Sequence, residues 1–112
     1  MRGKVLESAI LRDICDNLAY KGLFFWRSNN IPVFGRSGDG IRRFRALPKY
    51  TPKGLPDIIC LKNRHFIGLE VKREGMKQSK EQVAMQYNIE DNGGYYYVIY
   101  SVKDIDKIDL LK

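Results

Sequence analysis

Asp57, Glu70 and Lys72 are the residues of this chain whose types and spacing could do chemistry. They lie in the stretch 54–72, Gly-Leu-Pro-Asp-Ile-Ile-Cys-Leu-Lys-Asn-Arg-His-Phe-Ile-Gly-Leu-Glu-Val-Lys, which reads as two strands and a tight turn. Asp57 to Lys62 is a hydrophobic run rich in strand formers, and His65 to Val71 is a second. Asn63 and Arg64 lie between them, and Asn tolerates the left-handed backbone that a two-residue hairpin turn needs. If Lys62 pairs with His65, Asp57 falls opposite Glu70. Alternation along the strand then puts Glu70 and Lys72 on one face, with Ile67, Leu69 and Val71 on the other. Facing Cβ atoms of cross-strand partners sit about 5 Å apart, where like charges are destabilising. The pair therefore needs a proton, a neighbouring cation or a metal ion, and hard oxygen ligands on a firm sheet suit Mg²⁺ or Mn²⁺. The residues alone leave a second reading open, in which Lys72 neutralises Glu70 and Asp57 is a polar residue at a strand edge.

The rest of the chain supplies elements to hold such a hairpin. Val5 to Lys21 has Leu6, Ala9, Ile10, Ile14 and Leu18 at helical spacing, with Gly22 as a stop. Glu7 and Asp13 both fall within the inward arc of that helix, so either acid could face the site. Equally, Glu7 could be an exposed helix-start acid favoured by the dipole. Leu23 to Arg27 reads as a core strand. From Asn30 to Leu55 glycines and prolines break every period, which predicts a long loop or a pair of irregular short strands. Beyond Lys72 a polar connector leads to Ser79-Lys-Glu-Gln82, a capping box that opens a helix to about Asn92. Gly93-Gly94 ends it. Tyr95 to Tyr100 is a strong strand, parallel to the second hairpin strand through a crossover. Ser101 can cap a last short helix with Val102, Ile105, Ile108 and Leu111 inward. The sum is a single α/β domain over 1–112, in the order α-β-β-β-α-β-α, with a mixed sheet flanked by helices.

Composition narrows the partner. The chain of 112 residues is 44% hydrophobic, enough for one modest core, and has no apolar run of membrane-spanning length. Met1-Arg-Gly-Lys is not followed by a signal-like apolar segment, so a soluble, cytoplasmic protein with no membrane partner is expected. Two cysteines with no paired spacing, and a single histidine, argue against zinc. The formal charge of +7 favours an anionic partner. Between Arg36 and Lys53 stand six basic residues (Arg36, Arg42, Arg43, Arg45, Lys49 and Lys53) and one acid, Asp39. Phe44 and Tyr50 sit among them, a mixture suited to phosphate contacts with occasional stacking on an exposed base.

The ordered set Pro56-Asp57, Glu70-x-Lys72 resembles the active-site motif of the PD-(D/E)xK nuclease superfamily. More narrowly, Gly-x-Pro-Asp, Glu-Val-Lys and then Ser79-x-x-Gln82 resemble the virus-type replication-repair nuclease family (VRR-NUC), over most of the chain. The resemblance implies the restriction-endonuclease-like core and a metal-dependent endonuclease hydrolysing phosphodiester bonds in DNA. It implies Mg²⁺ or Mn²⁺ held by Asp57, Glu70 and the Val71 carbonyl, with Glu7 as a further metal-site acid. Lys72 would act on the attacking water and on the phosphate, and Gln82 would orient near it, although Gln82 could equally do no more than cap its helix. Arg27 and Asn29 match polar positions that border the site. The short stand-alone viral-type members act as homodimers on branched DNA such as four-way junctions in repair and recombination, and this chain has their size. The alternatives are a restriction-type enzyme that reads sequence and a non-catalytic nucleic-acid-binding module on the same fold.

Overall fold

The computed structural model describes residues 6–28, 34–36, 42–44 and 49–112, with the backbone alone for 34–36 and 42–44. The first helix, α1, spans Glu7–Tyr20 and buries Ile10, Leu11, Ile14 and Leu18, which recur once per turn. It stops where the sequence supplies a residue free to turn left-handed: Gly22 has φ +73°, and its N–H and that of Leu23 close on Ala19 and Leu18. Strand β1 follows at Phe24–Arg27.

Two short strands, β2 (Phe34–Arg36) and β3 (Arg42–Phe44), pair antiparallel as a separate ribbon. They lie in the segment where the broken periodicity allowed either a loop or irregular strands. The hairpin forms as expected, with β4 at Ile58–Lys62 and β5 at His65–Val71. Lys62 pairs with His65 and Ile58 with Leu69. Asn63 and Arg64 both take positive φ, 51° and 69°, the mirror-image turn whose twist matches the flanking strands.

Helix α2 (Lys80–Asp91) carries the chain back to β6 (Tyr95–Ile99), which runs parallel to β5. The main sheet has the order β1-β4-β5-β6. On one face Ile58, Cys60, Ile67, Leu69, Val71 and Ile99 pack against α1 and the C-terminal segment. Burying each such aliphatic side chain contributes about 1.5–3 kcal/mol. On the other face α2 lies over β6. Cys15 is half-buried, Cys60 is buried, and both are free thiols.

The C-terminal segment differs from the single helix expected. A short α3 (Val102–Ile105) is followed by a separate 3₁₀ turn at Asp109–Leu111. Ile105, Ile108 and Leu111 still point inward, but Ile108 is extended and breaks the helix between them. Ser101 caps nothing with its side chain; the Asp104 carboxylate accepts the Tyr100 N–H at 2.8 Å instead. No helix among the described residues is long and apolar enough to cross a membrane.

Candidate active site

Four elements converge at one end of the main sheet: the end of β1, the start of β4, and the ends of β5 and β6. The Gly-Leu-Pro-Asp turn is locked there by two close approaches. Gly54 has φ +79°, and a Cβ on it would lie 2.4 Å from the Glu81 carbonyl oxygen in the first turn of α2. Pro56 is fully buried and lies over Gly68 of β5, where a Cβ would come within 2.6 Å of the Pro56 Cγ. The turn is therefore pressed between a helix end and the sheet. Its next residue, Asp57, is held in place as its Oδ2 accepts the Val71 N–H at 2.8 Å. Ser28 beyond β1 donates its N–H to the Asp57 carbonyl at 2.7 Å.

Glu70 is the one charged residue type buried among the described residues, at 2% exposure. Its pKa is pushed up to about 9, first by burial, then by a side-chain hydrogen bond with Asp57 and the charge of that residue; Lys72 opposes the shift and Glu7 adds to it. The facing acids expected from the hairpin register thus do act on one another, and Lys72 and Glu7 lie near enough to be felt. Glu70 Oε1 is buried with no hydrogen-bond partner. A buried carboxylate oxygen left so costs about 1–3 kcal/mol or more. Two opposed carboxylates, one carrying an orphaned oxygen, form a donor set that fits a hard divalent cation. Among the described residues no three His, Cys, Asp or Glu side chains close into a full cage. Glu7 is half-buried, and its charge acts on Glu70. Asp13, the other inward-arc acid, is exposed and lines a groove of about 650 Å³ with Ile10, Arg73, Met76 and Tyr100.

Gln82 closes the capping box: its Oε1 accepts the Ser79 N–H at 2.8 Å while its own N–H reaches the Ser79 Oγ at 3.2 Å. That engages the side-chain oxygen in the helix start. Arg27 is exposed at the end of β1 and pairs with Ile58, which puts it on the α1 face, where its charge acts on Cys15. Lys49 and Lys53 are exposed, and the Lys49 ammonium stands 5.0 Å from the centre of the Tyr50 ring. Arg36, Arg42 and Arg43 belong to β2 and β3 by their backbone. Asn29 and Arg45 lie outside the described residues.

Sequence reasoning did not single out Gly68, Gln78 or Tyr96. Tyr96 is buried on β6 opposite Gly68, on the face that carries Glu70. Alternation along β6 in parallel register with β5 would have found it, once the register was known.

The fold is similar to that of a VRR-NUC domain. A solved chain described as a VRR_NUC domain superposes with a TM-score of 0.60 at 19% identity, covering 90% of each chain. No family model matches the sequence, and no curated protein does. The fold expected from the motifs is therefore the fold observed.

Proposed function

We propose that the protein is a metal-dependent endonuclease that hydrolyses phosphodiester bonds in DNA. The observation that carries this reading is the buried Glu70, facing Asp57 with one oxygen unpartnered. A structural core has no use for such a pair, whereas an acid pair poised for a cation does. Asp57 and Glu70 would hold Mg²⁺ or Mn²⁺, with the Val71 carbonyl and Glu7 completing the set. When bound, the ion polarises the scissile phosphate and acidifies a water. Lys72, half-buried beside Glu70, orients or helps deprotonate the attacking water and stabilises charge on the phosphate. The Val71 N–H fixes the Asp57 carboxylate toward the site.

The DNA is held through its backbone. The basic segment leaves the sheet after Arg27 and returns before Ile58, both at the end where Asp57 lies, which favours phosphate contacts close to the reacting acids. Branched DNA is the preferred substrate in this reading, cut by a two-fold homodimer that sets two sites on opposing strands. Phe24, Trp26, Leu61 and Phe66 form an exposed apolar row across β1, β4 and β5, which supports a contact between copies.

The test is nicking of a labelled four-way junction and of matched linear duplex in Mg²⁺ and Mn²⁺, with the oligomeric state measured by sedimentation. A dimeric wild type that cuts the junction, beside Asp57→Ala and Lys72→Ala proteins that bind it without cutting, supports the proposal. Binding by wild type with no cleavage in either metal leaves a binding module. Cleavage of linear duplex at a fixed sequence points to a restriction-type enzyme.

A further inference from the structure

Asn17, Glu70 and Tyr96 are the residues with a buried side-chain oxygen lacking a hydrogen-bond partner among the described residues, and two of them meet at the candidate site. Tyr96 is 5% exposed. It faces Gly68 across the β5–β6 register, and a Cβ at Gly68 would lie 3.6 Å from the Tyr96 Cδ2. A Cβ there would be in ordinary contact with the tyrosine ring, so the ring and Gly68 are neighbours on that face of the sheet. Two residues further along β5 in the same alternation stands Glu70. The Tyr96 hydroxyl closes no hydrogen bond of normal geometry, yet both Glu70 and Gln78 are near enough to act on its ionisation. Burial, the largest cause, raises its pKa above the ordinary tyrosine value. The Gln78 amide lowers that pKa, as a donor to the hydroxyl oxygen does, and the same amide is anchored by its Nε2 on the Gln86 Oε1 at 3.0 Å. The hydroxyl thus stands within reach of an amide and a carboxylate, bonded to neither.

A carboxylate has more lone pairs than one cation uses, and those left over need donors if the group is buried. We propose, resting on the metal-site reading above, that Tyr96 is a positioning residue: its hydroxyl donates to the Glu70 carboxylate and aims it at the cation, while Gln78 fixes the hydroxyl from α2's side. The orphaned Glu70 oxygen and the orphaned Tyr96 hydroxyl are then two halves of one contact. Tyr96 touches neither water nor phosphate in this arrangement and is not a catalytic residue.

Tyr96→Phe removes the hydroxyl and keeps the ring. Binding of Mn²⁺ is measured by calorimetry on wild type and on this variant, with thermal unfolding of both in chelator. Substitutions that remove a hydrogen-bond partner of a metal ligand typically lower metal affinity 10–100-fold. The expected result is Mn²⁺ affinity down by about 10-fold or more, with chelator-state unfolding unchanged or raised, since an unsatisfied buried hydroxyl is lost. Gln78→Leu is expected to weaken Mn²⁺ binding in the same direction and by less. Equal Mn²⁺ affinity in wild type and Tyr96→Phe overturns the inference and leaves the metal site standing. Earlier unfolding of Tyr96→Phe in chelator marks a structural hydroxyl and also overturns it. A wild type that binds no Mn²⁺ overturns the metal-site reading itself, and this inference with it.

Discussion

Glu70 is held against its own chemistry: a carboxyl at 2% exposure, facing a second acid, keeps its proton until pH about 9. That has a consequence for stability with a definite sign. Unfolded, the group titrates near 4.5, so between there and about 9 the folded chain holds a proton that the unfolded chain has lost. Raising the pH through that window therefore favours unfolding. In chelator the contribution of Glu70 is complete below its unfolded pKa and declines toward alkaline pH. Glu70→Gln removes the titration, so in chelator the variant should melt above wild type at about pH 8 and lose less stability toward pH 9, while cutting no DNA. Thermal melts across pH check this, and identical profiles for the two proteins would contradict it. The exchange of stability for a charged site is the pattern expected of a functional carboxylate.

At the scale of elements, the acids are placed by a sandwich in which Gly54 touches the first turn of α2 and Pro56 lies over Gly68. Gly68→Ala should therefore cost about 1–3 kcal/mol by overpacking and lower cleavage by moving Asp57, although the new methyl lies on no reacting atom. Chemical denaturation and a cleavage rate check it together; a fully active and fully stable variant would mean that the Pro56 contact does not position Asp57. The hairpin, its two-residue turn and the α2 capping box could all be read from sequence, because each depends on neighbours a few residues apart. The Asp57–Glu70 opposition followed from that register. What could not be read depends on contacts between distant segments. Gly68 looks like any strand glycine until Pro56 is seen above it, and Tyr96 looks like one of several core tyrosines until β6 is laid beside β5. The C-terminal helix failed for a related reason: Ile105, Ile108 and Leu111 fit a helical period, but they reach the core equally well across a break at Ile108. Gln82 was readable in both of its roles, and its bonds to Ser79 fill the structural one.

Over the whole molecule, most of the net charge of +7 falls in the segment that joins β1 to β4. Each phosphate contact removed should lower the slope of log affinity against log salt by about 0.9 on duplex DNA. Lys49 and Lys53 are exposed on the return path to β4, so Lys49→Ala with Lys53→Ala should flatten that slope by about one to two and weaken binding without preference among sequences. An unchanged slope would mean that this part of the segment faces away from DNA. Fold alone assigns no chemistry, so the activity is tested on the residues themselves.

The most direct test is a crystal structure grown or soaked with Mn²⁺ and examined for its anomalous signal. The account predicts one peak or a close pair at the end of the sheet, within coordination distance of Asp57 and Glu70 oxygens together. An empty pair, with the two carboxyls still hydrogen-bonded to each other at saturating Mn²⁺ and neutral pH, would contradict it.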